Sequence, residues 1–130
     1  MASIFSKIVS GEIPCYKIAE TNDFLAFLDV NPIKEGHVLV IPKREIDYYF
    51  DLDDELYIGL NLFCKIVAEA IKKAIPCKKV GVAVVGLEVP HAHVHLIPID
   101  NVDDMSFSKP RLQFTNDQFN QIAQKIREKL

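Results

Sequence analysis

Histidine and apolar residues alternate in one short segment of this 130-residue chain, which holds three of its four histidines. The segment reads Pro90-His91-Ala92-His93-Val94-His95-Leu96-Ile97-Pro98. A period of two is typical of a β-strand, because successive side chains point to opposite faces of a sheet. We therefore expect a strand over 91–97, with Ala92, Val94 and Leu96 on a core and the imidazoles in a row on an exposed face. Three groups that titrate near pH 7 in one row favour acid, base or nucleophile chemistry.

Three uses of this histidine row can be compared. A solvent-facing edge strand ordinarily carries Lys, Thr, Glu or Ser, so it accounts poorly for three histidines. A metal ion could bind two of them, but the outer Cα atoms would lie about 13 Å apart at ~3.3 Å per residue. The chain also offers no CxxC or HExxH motif and no carboxylate cluster beside the row. Chemistry at phosphorus, with one imidazole as nucleophile, fits the row better, and we expect no metal and no cofactor.

Length and composition limit the class of protein. A chain of 130 residues predicts a single domain, over 1–130, with its own core. The net charge of −3 gives no basic field, so we expect no nucleic-acid polymer as a partner. The absence of an 18-residue apolar run and of a signal-peptide pattern predicts no membrane partner. Cys15, Cys64 and Cys77 are an odd, scattered set, which is typical of a reducing cytosol and predicts a cytoplasmic location.

Residue patterning predicts five strands and two main helices. The predicted strands are 15–20, 23–30, 37–42, 79–85 and 91–97, with a tight connection at 86–88. A long helix is predicted from about Asp53 to Ile75, because apolar residues recur every three or four positions and Pro76 follows. A short helix is predicted at 4–9, and a C-terminal helix begins at Thr115 with a capping box. The hairpin-like strand spacing favours an antiparallel sheet, so the predicted fold class is α+β.

Four blocks of the chain resemble the histidine triad (HIT) family. Residues 91–97 resemble the family signature His-φ-His-φ-His-φ-φ, in which φ is apolar. Residues 4–14, 24–32 and 36–43 resemble, in the family's order, its N-terminal segment, its nucleoside-binding strand and the strand that follows. The chain is most similar to the Hint branch of nucleoside phosphoramidases, and less so to the Fhit branch of dinucleoside polyphosphate hydrolases. The resemblance implies a HIT-like fold: a five-stranded antiparallel sheet with one long and one C-terminal helix, which pairs into a homodimer.

The resemblance also implies a two-step nucleotidyl transfer through a histidine-bound nucleotide. His93 would attack the α-phosphorus, and water would then hydrolyse the nucleotidyl-imidazole. His91 would act partly through its backbone carbonyl, which would set the tautomer of His93. His95 would hydrogen-bond the phosphate or leaving group and supply charge to the transition state. His37 would support the same site; the less favoured alternative is a residue that starts a strand after Gly36.

The nucleotide-binding residues implied by the resemblance come mostly from the first 30 positions. Asp29 would accept hydrogen bonds from the ribose hydroxyls of an AMP-like purine nucleotide; the alternative is a turn residue at a strand end. Apolar residues would enclose the base, although the same spacing suits ordinary core residues. These are Phe5, Ile8, Ile13 and Phe27, with Val30 and Glu88 as further candidates beside them.

The chain departs from the family pattern at two places. Many bacterial relatives carry Cys-x-x-Cys before the first helix, as half of a structural zinc site; Ser3 and Ser6 stand there, so we expect no zinc. Hint relatives carry Gly-Gln-Ser or Gly-Gln-x before the triad, whereas this chain has Gly86, Leu87 and Glu88 in a shorter loop. Because a glutamate would repel an anionic phosphate, we hypothesise that it binds a cationic leaving group such as the amine of a lysyl phosphoramidate.

Three functions remain open from the sequence. The first is a hydrolase that cleaves a nucleoside 5′-phosphoramidate or a related adenylated compound without a metal. The second is a dinucleoside polyphosphate hydrolase. The third is a nucleotide-binding interaction module in which the altered loop leaves only weak catalysis.

Overall fold

A computed structural model describes residues 2–130. Over these residues the chain forms three α-helices and five β-strands: α1 (Ile4–Ser10), β1 (Lys17–Glu20), β2 (Phe24–Leu28), β3 (Val38–Pro42), α2 (Asp54–Ala74), β4 (Lys79–Ala83), β5 (Val94–Ile99) and α3 (Asn116–Arg127). Two short 3-10 turns that the sequence did not predict lie at Tyr49–Asp51 and Val102–Met105. The strands form one antiparallel sheet in the order β1-β2-β3-β5-β4. The predicted five-stranded antiparallel α+β fold is therefore confirmed.

The two main helices begin where their capping residues predict. The Asp53 carboxylate accepts the Leu56 N–H at 2.8 Å and caps α2, whose first turn is acidic and whose last turn is basic. At the start of α3, Thr115 and Gln118 exchange side-chain to backbone hydrogen bonds of 2.8 and 3.2 Å, which is the predicted capping box. No helix among residues 2–130 has the length and apolar character needed to cross a bilayer.

The sheet separates two apolar layers. Every residue of β2 and β3 is buried, because α2 and α3 cover one face and α1 with its following segment covers the other. Alternation along β2 sends Ala26 and Leu28 to the α2 side, while Leu25 and Phe27 face the α1 side. The strand pairing then places Phe27 beside Leu39, and Leu39 beside His95, on the α1 face. This face carries the candidate site.

The predicted exposed row of histidines is wrong. Strand β5 begins at Val94 rather than at residue 91, so two of the three histidines precede it. The exposed fractions are 0% for His91, 5% for His93 and 8% for His95. The predicted tight turn is also wrong, since residues 84–93 form a long connection in which the Ala92 N–H donates to the Ile46 carbonyl at 2.7 Å. Because this connection leaves the sheet and α1 packs over it, the imidazoles become interior groups.

Candidate active site

A cavity of about 260 Å³ opens on the α1 face of the sheet, and we call it the first cavity. Its wall is mostly apolar, as is typical of sites that take a small organic ligand. Every residue that the sequence nominated for nucleotide binding lines it, together with two histidines of the triad: Phe5, Ile8, Ile13, Phe27, Asp29, Val30, Glu88, His93 and His95. His91 and His37 do not line this cavity; both are fully buried behind it.

Backbone geometry selects the tautomer of His93. Its Nδ1–H donates to the backbone carbonyl of His91 at 2.8 Å. A carbonyl oxygen only accepts, so Nδ1 carries the proton and Nε2 of the neutral ring keeps its lone pair. The edge of the Phe5 ring packs against this imidazole, with the ring centroids 5.0 Å apart. The unprotonated nitrogen therefore belongs to a histidine whose orientation is set both by a hydrogen bond and by packing.

His91 is oriented by partners at both ring nitrogens. Its Nε2–H donates to the Pro42 carbonyl at 2.7 Å, which leaves Nδ1 as the acceptor. The Ser3 hydroxyl donates to that Nδ1 at 2.8 Å, across 88 positions of sequence. Burial lowers the pKa of His91, in keeping with a neutral ring. The residue whose carbonyl orients His93 is thus tied to β3 and to the start of α1.

Two serines and a glutamate form the outer part of this network. The Ser3 hydroxyl, which caps α1, accepts the Ser6 N–H at 3.0 Å. The Glu45 carboxylate accepts the Ser3 N–H and, at 2.8 Å, the Ser6 hydroxyl. These hydrogen bonds lower the pKa of Glu45 to about 2. Serine hydroxyls are not among the usual zinc ligands, and His91 Nδ1 already accepts a hydrogen bond from the Ser3 hydroxyl. This set of side chains therefore does not fit a zinc ion.

A second pair of histidines forms a directed hydrogen-bond chain. The Ile33 N–H donates to Nδ1 of His37 at 3.0 Å, so neutral His37 carries its proton on Nε2. That N–H donates to Nδ1 of His95 at 2.9 Å. His95 must then carry its own proton on Nε2, the nitrogen on the opposite side of its ring. A backbone amide in the loop before β3 therefore determines which proton His95 offers.

Burial keeps this pair neutral at pH 7. Burial, with a smaller contribution from nearby positive charge, lowers the pKa of His37 to about 3 and that of His95 to about 4. The prediction that His95 supplies charge to the transition state stays a prediction; without a ligand the ring is neutral at pH 7. It offers an N–H dipole, which costs no reorganisation when it stabilises charge that develops on a phosphate.

Asp29 lies directly after β2, at the edge of the first cavity. One carboxylate oxygen accepts the Asn31 N–H at 2.8 Å, and the other lies 3.6 Å from His37 Nε2. Burial raises the pKa of this carboxyl group. The fold thus fixes one oxygen and leaves lone pairs available at the cavity wall.

The fold also brings together three groups that could coordinate a metal ion. Ligand atoms of Asp29, His37 and His95 lie within 4.8 Å of one another. However, Ile33 forces the proton of neutral His37 onto Nε2, and this N–H already donates to His95. A protonated nitrogen cannot coordinate a metal, so the arrangement is one of hydrogen bonding.

His93 and His95 also line a smaller cavity of about 190 Å³, which we call the second cavity. Asp29 and Glu88 line both cavities. The second is completed by the 85–87 part of the connection and by two residues that the sequence did not nominate, Phe107 and Arg111. No motif marks either residue, and both follow β5 in a segment whose path depends on the tertiary fold.

Fold and site together define a class: α+β domains in which hydrogen-bonded histidines at the start of an inner strand separate two cavities. The HIT domain family matches residues 10–102, and the chain belongs to this family. It is 33% identical over 131 residues to a HIT-like protein of Borreliella burgdorferi, covering 95% of this chain and 94% of that protein.

Two further relatives extend this likeness. The chain is 40% identical over 102 residues to the adenosine 5′-monophosphoramidase of Schizosaccharomyces pombe, covering 78% of this chain and 77% of the yeast protein. The crystal structure of a HIT-like protein of Bartonella henselae superposes with a TM-score of 0.86 at 29% identity, over 98% of this chain and 96% of that one.

Proposed function

We propose that this chain is a nucleotide-binding hydrolase that cleaves a nucleoside 5′-phosphoramidate, or a related adenylated substrate, at the α-phosphate. His93 is the nucleophile, and the reaction passes through a nucleotidyl-histidine intermediate. The proposal is supported by the likeness to the yeast adenosine 5′-monophosphoramidase. The observation that carries it is the hydrogen bond from His93 Nδ1 to the His91 carbonyl, because it leaves Nε2 unprotonated between the two cavities.

The reaction has two displacements at phosphorus. In the first, a bond forms between Nε2 of His93 and the α-phosphorus, the bond to the leaving nitrogen breaks, and the departing amine takes up a proton from water. In the second, water attacks phosphorus, the P–N bond to the imidazole breaks, and the nucleoside monophosphate leaves. The Nε2–H of His95 donates to a phosphoryl oxygen in both steps. The buried, neutral His37 keeps that donor in the required tautomer.

The nucleoside part of the substrate occupies the first cavity. Phe5, Ile8, Ile13 and Phe27 contact the base, and Asp29 accepts hydrogen bonds from the ribose hydroxyls. Val30 borders the entrance, where it is 58% exposed. Apolar contacts of this kind accept a purine without requiring a particular set of ring substituents. A single domain over residues 1–130 and a cytoplasmic location remain part of the proposal.

The test is turnover of an adenosine 5′-phosphoramidate with an aminoalkyl leaving group, measured in EDTA for the wild type and His93→Ala. We expect the wild type to turn over in the chelator. We expect the variant to lose activity on the order of 10³-fold or more, since it lacks the group that forms the intermediate. AMP affinity, measured by calorimetry, controls for folding and should stay within about threefold of the wild type.

Two other results would replace the proposal. Faster turnover of a dinucleoside polyphosphate than of the phosphoramidate would move the chain to the class of polyphosphate hydrolases. AMP binding without turnover of either substrate would make it a nucleotide-binding interaction module.

The proposal includes a homodimer. Helix α2 presents three apolar side chains at four-residue spacing, Ile58, Leu62 and Ile66, which are 56%, 59% and 57% exposed. The neighbouring edge strand β4 has a free side for pairing, and its Val82 is 62% exposed. A second copy would cover the apolar stripe and could continue the sheet at its edge, which is how exposed edges are commonly protected.

Light scattering after size-exclusion chromatography tests the dimer. The wild type should elute with twice the chain mass, and Leu62→Glu should give the monomer mass because it places a charge inside the interface. Val102→Glu is the matched control, since that residue is 90% exposed and lies outside α2 and β4. A monomeric wild type would contradict the dimer without affecting the hydrolase assignment.

A further inference from the structure

The residues assigned to the base do not line the second cavity, yet His93 and His95 line it as well as the first cavity. A substrate whose nucleoside lies in the first cavity has its α-phosphorus at these histidines. An attacking and a departing group lie roughly in line at phosphorus, so the departing group extends away from the nucleophile. The second cavity is the space at the site that remains for it.

Hydrogen bonds to the loop after β2 hold the Arg111 side of this cavity in place. Arg111 donates from Nη1 to the Asn31 carbonyl at 2.7 Å, and the next residue, Leu112, donates its N–H to the Pro32 carbonyl at 2.9 Å. Both contacts cross about 80 positions of sequence. They place the guanidinium beside the loop that follows Asp29.

Aromatic contacts connect Arg111 to the histidines. The Phe107 ring packs edge-on against His95, with centroids 4.8 Å apart. The guanidinium carbon of Arg111 lies 5.9 Å from the centre of that same ring, within cation–π range. Burial is the main cause of the shifted pKa values of Asp29, His37 and His95, and the positive charge of Arg111 adds to the lowering at both histidines and opposes the rise at Asp29.

A guanidinium has five N–H donors in a planar fork that matches carboxylate and phosphate oxygens. One of the donors of Arg111 serves the Asn31 carbonyl. We propose that Arg111, supported by Phe107, forms a leaving-group subsite for an anionic group, a carboxylate or a phosphate, on the part of the substrate that departs. The inference rests on the proposed hydrolysis, because a leaving group exists only where the bond at the α-phosphorus is cleaved.

Two carboxylates in the same cavity do not neutralise this subsite. One Asp29 oxygen accepts the Asn31 N–H, and the carboxylate also lines the first cavity, where the proposed function has it accept the ribose hydroxyls. Glu88 is exposed, and solvent screens its charge more strongly than that of the half-buried Arg111. The hypothesis that Glu88 binds a cationic leaving group stays a prediction, and Arg111 in the same cavity favours an anionic one instead.

The test uses three adenosine 5′-phosphoramidates with leaving amines of similar length. One amine ends in a carboxylate (3-aminopropanoate), one in a neutral amide (3-aminopropanamide) and one in an ammonium group (1,3-diaminopropane). The readout is the ratio of kcat/KM for each charged substrate to that for the neutral one, for the wild type, Arg111→Gln, Arg111→Lys and Glu88→Gln. Arg44→Gln is the matched control, because it removes the same charge from a side chain that is 69% exposed and lines neither cavity.

We expect the wild type to prefer the carboxylate over the amide about tenfold, as for one charge-assisted hydrogen bond. Arg111→Gln should bring this ratio close to one, Arg111→Lys should keep part of it, and Arg44→Gln should leave it unchanged. The rate on the neutral substrate reports folding within each variant. A wild-type preference for the ammonium substrate that Glu88→Gln abolishes would overturn the proposal. An unchanged ratio in Arg111→Gln would exclude a carboxylate, and it would overturn the proposal if the affinity for a phosphate-bearing ligand were unchanged as well.

A binding measurement tests the anion subsite without requiring turnover, and it tests whether the anion can be a phosphate. The affinity of α,β-methylene ADP, which adds a non-hydrolysable phosphate beyond the α-phosphorus, is compared with that of AMP. Arg111→Gln should lower this affinity ratio about tenfold if the subsite takes a phosphate. Absence of turnover on all three phosphoramidates would remove the hydrolase function, but a fall in the affinity ratio would still support the anion subsite. An unchanged affinity ratio together with an unchanged kinetic ratio would overturn it.

Discussion

Mild acid should destabilise this protein more than its surface charges alone would. His37 and His95 are 0% and 8% exposed, and their pKa values of about 3 and about 4 lie well below the usual 6.5. At pH 5 both rings are therefore neutral in the folded state, whereas in the unfolded chain both are largely protonated. Stability that depends on the neutral form is complete above pH 6.5 and is lost as the pH falls toward 4 and 3.

The magnitude follows from the proton balance. One pKa unit corresponds to about 1.4 kcal/mol, and pH 5 lies 1.5 units below the unfolded value of about 6.5. Each histidine then costs about 2 kcal/mol of unfolding free energy between pH 7.5 and pH 5, or about 4 kcal/mol for the pair. This is a large part of the 5–15 kcal/mol that is typical of a folded domain.

Other groups with shifted pKa values contribute little to the change in stability between pH 7.5 and pH 5. The pKa values of Glu20 and Glu45 are lowered to about 2, so their stabilising effect is lost mainly below pH 4.5. The pKa of Asp29 is raised in the folded state, so adding acid stabilises the fold slightly at this residue and opposes the loss caused by the histidines. The lowered pKa of His91 acts in the same direction as the buried pair.

The assay is urea denaturation followed by circular dichroism at pH 7.5 and pH 5.0, for the wild type and His37→Asn. Asparagine still offers an acceptor to the Ile33 N–H, and comparing each protein with itself cancels the general cost of the substitution. The loss on acidification should be about 2 kcal/mol smaller in the variant. A wild-type loss below about 1 kcal/mol, or equal losses in the two proteins, would refute the idea of a neutral buried pair.

Three further predictions concern the backbone, the nucleoside site and the network behind it. Gly36→Ala should lower the unfolding free energy by about 2 kcal/mol or more, because φ is +88° and the new Cβ would lie 2.9 Å from a neighbouring side chain. Gly11→Ala is the control: φ is +87° but nothing lies within 4 Å, so it should lower the unfolding free energy by only about 1 kcal/mol. Thermal denaturation measures both variants. Asp29→Asn should weaken AMP binding about tenfold by calorimetry but leave dideoxy-AMP, which lacks the ribose hydroxyls, nearly unaffected; equal losses for both ligands would contradict ribose recognition. Ser3→Ala removes the hydroxyl that donates to His91 Nδ1, so it should lower kcat severalfold while KM stays constant, and a change confined to KM would contradict its positioning role.

Local patterns were sufficient for the secondary structure. The apolar spacing and acidic N-cap of α2, and the capping box at Thr115, act within a few residues, so the sequence predicted both helices to within their caps. The strands were predicted in the right order and pairing sense. The first four were predicted too long by one to three residues, and the last was predicted at 91–97 but lies at Val94–Ile99. At residues 91–93 the alternation was genuine, yet the chain there bonds to Ile46 rather than to a neighbouring strand.

The sequence by itself determined the elements, the antiparallel sheet and the family, and it nominated the four histidines. The tertiary structure decided the tautomers of two of them, because their partners come from distant parts of the chain: the Pro42 carbonyl fixes His91 across 49 positions, and His37 fixes His95 across 58. It also decided that the triad is buried, that burial lowers the pKa values of His91 and His95, and that Arg111 faces the site. Protonation and charge depend on desolvation and on neighbours in space, and these exist only once the sheet, α1 and the segment after β5 have packed together.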